Sequence, residues 1–160
     1  MKRLLVNPTL VLLVLLVWTP ALSADFQKGI DAVQKGDHAT ALKEWKPLAE
    51  QGDARAQFRL GQMYHRERGV PRDYKIAVKW YILASEQGHI QAQTNLGVML
   101  TTGRGVGKSK TGAYKWWSIA ASQGHKKAEE LRDMIKKRMT LGQITEAKRI
   151  IEEWKKNRKK

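Results

Sequence analysis

Three segments of this chain align without a gap at a spacing of 36 residues: DHATALKEWKPLAEQGD from Asp37, DYKIAVKWYILASEQGH from Asp73 and SKTGAYKWWSIAASQGH from Ser109. The columns Ala41/Ala77/Ala113, Trp45/Tyr81/Trp117 and Gly52/Gly88/Gly124 agree in type across all three. Between them lie ARAQFRLGQMYHRERGVPR from Ala54 and IQAQTNLGVMLTTGRGVGK from Ile90, identical at 8 of 19 positions. A period in the thirties leaves few folds open. Each unit is too small to bury its apolar face alone, so the units must stack and bury it against one another as a solenoid.

Each unit divides into two predicted helices. In the first, Ala56, Leu60 and Met63 recur at i, i+4, i+7, as do Ala92, Leu96 and Met99, which makes one apolar stripe. Gly61 and Gly97 fall in mid-helix, where glycine costs about 1 kcal/mol against alanine, so their register predicts a close helix–helix approach. In the second helix, Ala77, Trp80, Tyr81 and Ala84 share a face. Asp37, Asp73 and Ser109 stand at its N-cap, and Gly52, Gly88 and Gly124 stand where a left-handed glycine ends a helix. Pro47 falls inside its helix and should kink it.

The stretch GVGKS, Gly105 to Ser109, imitates a phosphate-binding loop. That loop needs G-x-x-x-x-G-K-[ST] after a strand, yet Thr102 occupies the first glycine's place and Gly103 is one residue late. The repeat aligns this stretch with Gly69-Val70-Pro71-Arg72-Asp73, so it is a loop between helices and no nucleotide site is expected.

Ala56, Leu60-Gly61, Tyr64, Gly69-Val70-Pro71, Asp73, Ala77, Trp80-Tyr81, Ala84 and Gln87-Gly88 together resemble the Sel-one-like repeat family, relatives of the tetratricopeptide repeats. The resemblance covers full units at 53–88 and 89–124, preceded by a partial unit at 25–52. It implies an all-α, right-handed solenoid of antiparallel helix pairs, used as a scaffold for protein partners and usually without chemistry of its own. Two departures stand out. Glu67 replaces the loop glycine kept as Gly103, which predicts a different backbone in the first loop. Past Gly124 the register dissolves, with Arg132 and Asp133 in the Leu-Gly place.

Residues 125–160 have their own pattern. Lys126 to Met139 reads as a helix carrying Ala128, Leu131, Met134 and Ile135. Thr140 and Gln143 then form a capping box, followed by an amphipathic face of Ile144, Ala147, Ile151 and Trp154. This is the C-terminal capping helix a solenoid requires, expected to cover Leu131, Met134 and Ile135.

The chain's charge is basic, with 30 Lys+Arg against 15 Asp+Glu, and this favours acidic partners. At the other end Lys2 and Arg3 precede an apolar run from Leu10 to Val17, ended by Thr19-Pro20 and small residues to Ala24. That run is short for a span, so residues 1–24 read as a secretory signal cut after Ser23 or Ala24, and the protein is expected in the periplasm or secreted. Export disfavours nucleic acid and nucleotide as partners. The absence of cysteine removes disulfides and thiol chemistry. Cysteine-rich relatives in the resembled family have been linked to penicillin-binding chemistry, a precedent that transfers poorly here. His38, His65, His89 and His125 are scattered, no catalytic or metal motif is present, and neither an enzyme nor a cofactor is expected.

Two binding surfaces remain. Arg55, Arg59, Gln62 and Arg66 fall at i, i+4, i+7, i+11, opposite the buried stripe and clear of the core, and continue as Gln91, Asn95, Val98 and Thr102 in the next unit. The resemblance places these rows in the concave groove, where a protein or an acidic peptide would bind. The alternative is the basic end, Lys155, Lys156, Arg158, Lys159 and Lys160, set against anionic glycan or lipid headgroups of the cell envelope.

Overall fold

The computed structural model describes residues 25–158. The predicted signal segment, Lys159 and Lys160 lie outside the described residues. Within them the chain forms helices and no strand: α1 over residues 25–34, α2 His38–Glu50, α3 Ala54–Arg66, α4 Tyr74–Glu86, α5 Ile90–Thr102, α6 Lys110–Ser122, α7 Lys126–Lys136 and α8 Leu141–Asn157. No helix among them is long and apolar enough to cross a membrane.

Local chemistry fixes the boundaries. The side chains of Asp37, Asp73 and Ser109 accept the N–H of Thr40, Ile76 and Gly112 at the starts of α2, α4 and α6. Gly52, Gly88 and Gly124 turn the chain after these helices at φ of 99°, 94° and 85°. Pro47 is carried inside α2, which continues through Glu50. GVGKS lies between α5 and α6 with a helix on each side, and Ser109 serves as the α6 cap.

Neighbouring helices from α2 to α7 pack in sequence, and α8 packs on α6. The mid-helix glycines explain themselves. A Cβ at Gly61 would come within 2.6 Å of the Tyr81 ring, and one at Gly97 would enter the Trp117 indole. Gly29 plays the same part beneath Trp45. It escapes the 36-residue register because the turn from α1 to α2 is four residues shorter than the loop from α3 to α4. Trp45 and Trp117 each donate their indole N–H to a carbonyl one turn before that glycine, Phe26 O at 3.1 Å and Thr94 O at 3.0 Å.

A second repeated device is polar and buried. Gln57 and Gln93 donate to the Ala49 and Ser85 carbonyls at the end of the preceding helix, each at 3.1 Å. Their own oxygens accept from Gln87 and Gln123 at 2.8 and 3.0 Å. Both amides are thereby satisfied where an unpaired one would cost about 1–3 kcal/mol.

Two expectations fail here. Glu67 takes φ 56°, ψ 48°, the same left-handed region as Gly103 at φ 73°, ψ 23°, and both N–H groups bond the equivalent carbonyl, Met63 O or Met99 O. The loop keeps its shape because its hydrogen bonds dictate it, and the side chain tolerates the strain. The second failure concerns the cap. α7 ends at Lys136, and α8 lies on α6, where Trp154 meets Trp116 edge-on at 6.0 Å between ring centroids. Ile135 is buried, Leu131 is half-buried, and Met134 is left 52% exposed. Because the helix that follows packs on α6, the place of the repeat glycine on α7 holds Asp133, which pairs with Arg132 at 2.8 Å.

Candidate partner-binding face

Position 59, and its repeats 95 and 131, lies over the aromatic of the preceding unit. Arg59 places its guanidinium 5.8 Å from the Trp45 ring. The Asn95 side chain faces Tyr81, whose hydroxyl meets His65 Nδ1 at 3.3 Å. Leu131 and Trp117 line one cavity. The face formed by α3, α5 and α7 therefore changes along its length from cationic, to neutral polar, to apolar.

The arginines are not all free. Arg55 forms a forked pair with Asp53, Nη2 to Oδ2 at 2.7 Å and Nε to Oδ1 at 3.2 Å, and lies 4.4 Å over the Phe26 ring. Arg59 donates to Gln62 Oε1 at 3.2 Å and is flanked by Phe58 and Trp45. Burial holds the Arg59 guanidinium below its usual range, and no carboxylate offsets that cost among the described residues. Both side chains rest on core aromatics, so the expectation that they stand clear of the core is wrong. Long cationic side chains cover apolar surface with their stems and planar heads. Arg66 and Gln91 are exposed, and Gln62 and Asn95 are half-buried. The structure thus joins Arg59 to Gln62 and sets Asn95 beside Tyr81, while Arg55 turns away to Asp53.

Burial pushes the Tyr81 phenol up to about 12, against the opposing pull of the Asn95 amide. It also holds the His65 imidazole below its ordinary value, helped by the charges of Arg66, Arg104 and Arg72. Tyr81 and His65 are therefore neutral hydrogen-bonding groups near pH 7. Such a face can orient and bind, and no activated nucleophile sits among these residues.

The basic end is differently placed from the tail expected. Arg158 donates to the Glu86 and Gln87 carbonyls at 2.9 and 3.2 Å and stacks 4.7 Å over Trp154, whose indole N–H donates to Glu86 Oε2 at 2.6 Å. Lys155 pairs with Glu152 at 2.9 Å. Lys156 is exposed. Of these residues, Arg158 fastens α8 to the end of α4.

Sequence reasoning missed the third row, Lys127, Leu131, Met134 and Arg138. Adding 36 to Gln91, Asn95, Val98 and Thr102 finds it. Loss of the Leu-Gly pair at Arg132-Asp133 hid a register that Ala128 and Ile135 keep, both buried like Ala92 and Met99.

The family model for the Sel1 repeat matches residues 54–89 and 90–125. Among solved structures, a protective antigen of uropathogenic Escherichia coli displaying an SLR fold is similar at a TM-score of 0.79 and 26% identity, over 83% of this chain and 29% of that one. A Sel1 repeat protein from Oxalobacter formigenes is similar at 0.62 and 35% identity, over 65% of this chain and 43% of that one. This chain therefore spans less than half of either relative. No curated protein matches. The family model thus identifies residues 54–125 as two Sel1 repeats, and the likeness to both solved relatives makes the described chain an all-α helical repeat of the same fold.

Proposed function

We propose that this scaffold is exported and holds an extended acidic segment of another protein along the α3–α5–α7 face. The observation that carries the reading is Arg59. It is a half-buried guanidinium with Gln62 and two aromatic rings around it and no carboxylate partner among the described residues. A charge held partly out of water is costly unless something pairs with it, and an incoming carboxylate would supply a charge-assisted bond. Asn95, Gln62 and exposed Arg66 offer further donors along an extended backbone. Export rests on the N-terminal pattern, from Lys2 through Ala24. Mass spectrometry of the protein recovered from its host should find a start at Ala24 or Asp25.

The test of the face uses peptides selected from a random library on the purified protein. Selected sequences should be rich in Asp and Glu. Arg59→Gln, which keeps a long side chain on Trp45, should weaken them by about 1.5–3 kcal/mol, the scale of a hydrogen bond to a charged group. Unchanged binding to that variant, with loss on deleting Lys155 to Lys160, would move the function to the basic end.

A further inference from the structure

The last part of this face carries a cavity of about 220 Å³ between α5 and α7, floored by Trp117 and walled by Val98, Leu131, Met134 and Ile135, with Arg138 at its rim. We propose that it is an anchor pocket for one bulky apolar side chain of an extended acidic peptide, whose neighbouring carboxylate is held by Arg138. This rests on the peptide-binding reading and adds to it a specificity and a direction.

Three observations carry the proposal. The first is that the repeat does not require such a pocket. Subtracting 36 turns Leu131, Met134 and Trp117 into Asn95, Val98 and Tyr81. There the polar Asn95 faces Tyr81, and His65 Nδ1 meets the Tyr81 hydroxyl at 3.3 Å. In the last unit an indole replaces the phenol and turns its N–H inward to Thr94 O. Leucine replaces the asparagine above it, so the same place is left apolar and open.

The second is exposure. Met134 is 52% exposed at the edge of this cavity, although α8 ends the stack nearby. α8 covers α6 instead. Methionine suits a binding surface, because its flexible thioether adapts to different apolar shapes.

The third is charge. A second cavity of about 480 Å³ adjoins the first through Thr101, Ile135 and Arg138, and Lys108 and Lys110 line it. Among the described residues no carboxylate lines either cavity. The Lys110 ammonium is turned to the Arg138 carbonyl at 2.7 Å, which holds three cations beside one apolar pocket. An apolar side chain followed by acidic residues complements both parts. Such a peptide would lie with its anchor at α7 and a further carboxylate toward Arg59 on α3.

The experiment uses two labelled ten-residue peptides of Glu and Ser that differ at one central position, Phe or Ala, titrated against the whole protein by fluorescence anisotropy. The Phe peptide should bind at least tenfold more tightly, as burial of one aromatic side chain predicts. Met134→Gln and Leu131→Asn should abolish that difference without weakening the Ala peptide. Leu131→Asn copies a residue the preceding unit already carries, and Met134 is exposed, so both variants should fold. The Met134 methyl resonance should shift on adding the Phe peptide and stay put with the Ala peptide. Equal affinity of the two peptides, both weakened by Arg59→Gln, overturns the pocket and leaves the peptide-binding face standing. Binding of neither peptide overturns both. Self-association of the wild type that Met134→Gln abolishes also overturns the proposal, by giving the pocket to a second copy of this chain.

Discussion

The units at 53–88 and 89–124 share a skeleton and differ in what they show to the outside. Gly61 beneath Tyr81 becomes Gly97 beneath Trp117, and Gln57 bonded to Ala49 O becomes Gln93 bonded to Ser85 O. The face residues behave otherwise: Arg59 becomes Asn95 and Gln62 becomes Val98. The helix cap changes from Asp53 to His89, and the loop residue from Glu67 to Gly103. Contacts that one helix makes with the next are fixed by close packing, which punishes a change of a single methylene. Positions that meet solvent are released from that constraint and are free to serve recognition.

The largest test breaks the skeleton. Trp117→Ala should cost about 3–5 kcal/mol, as loss of a buried large aromatic does. Gly97→Ala alone should be destabilising, because its Cβ enters the indole. In the Trp117→Ala background the clash is gone, and the same alanine should become neutral or stabilise by up to about 1 kcal/mol through helix propensity. Urea denaturation of the four proteins reads this directly. A Gly97→Ala effect of the same sign and size in both backgrounds would mean that the glycine serves something other than the ring.

The skeleton was legible in the sequence because it repeats. Caps, terminal glycines and the apolar stripes recur at a fixed interval, and each answers a local backbone requirement. Gly29 was hidden for a simple reason: its distance from Trp45 is four residues less than that of Gly61 from Tyr81. The third row was hidden because the glycine of the Leu-Gly pair answers to an aromatic on the helix that follows, and α8 packs on α6 instead of filling that place on α7. The destination of α8 left no local trace. Its amphipathic face announces burial, but Trp154 meeting Glu86 joins residues 68 positions apart. Arginines on a polar stripe likewise read as solvated, whereas Arg59 lies on Trp45 across a helix boundary that the pattern does not encode.

A second test separates the two caps by pH. His89 Nδ1 accepts the Ala92 N–H at 3.3 Å, which requires that nitrogen to be unprotonated. Burial, then the charge of Arg59, holds the His89 imidazole below its ordinary 6.5. A depressed histidine contributes stability that is complete above the unfolded value and is lost as pH falls from about 6.5 through the folded value. Asp53 differs. Burial works against its charge, but the Arg55 guanidinium and the Ala56 and Arg55 N–H groups outweigh it and hold the carboxyl below 3.8. Its contribution persists until pH falls below that range. Between pH 7 and 5, therefore, the start of α5 should weaken while the start of α3 does not. His89→Asp should recover about 1 kcal/mol of the acid-side loss, the usual scale of an N-cap. Depressed His65 should retain its own share. Thermal melts at both pH values suffice, and an acid-side loss as large in His89→Asp as in the wild type would remove the cap from the explanation.

The smallest effect concerns the loop whose backbone the two units share. A left-handed conformation costs a non-glycine residue about 1 kcal/mol. Glycine there loses roughly 0.4–1 kcal/mol of that advantage through its freer unfolded chain. Glu67→Gly also gives up the exposed pair with Arg72 at 3.1 Å, an interaction worth about 0–1 kcal/mol. These terms nearly cancel, so Glu67→Gly should shift stability by no more than about 0.5 kcal/mol. The reverse change is not symmetric. Gly103→Glu takes on the conformational cost, and its Cβ would meet Lys108 Cγ at 2.9 Å. A lysine side chain can move aside, and the stiffer unfolded chain offsets part of the cost, so the net loss should be about 0.5 kcal/mol. Melting both variants beside the wild type tests whether one hydrogen-bonded backbone governs both loops. A loss above about 1 kcal/mol for Glu67→Gly would instead show that the glutamate side chain holds the first loop in shape.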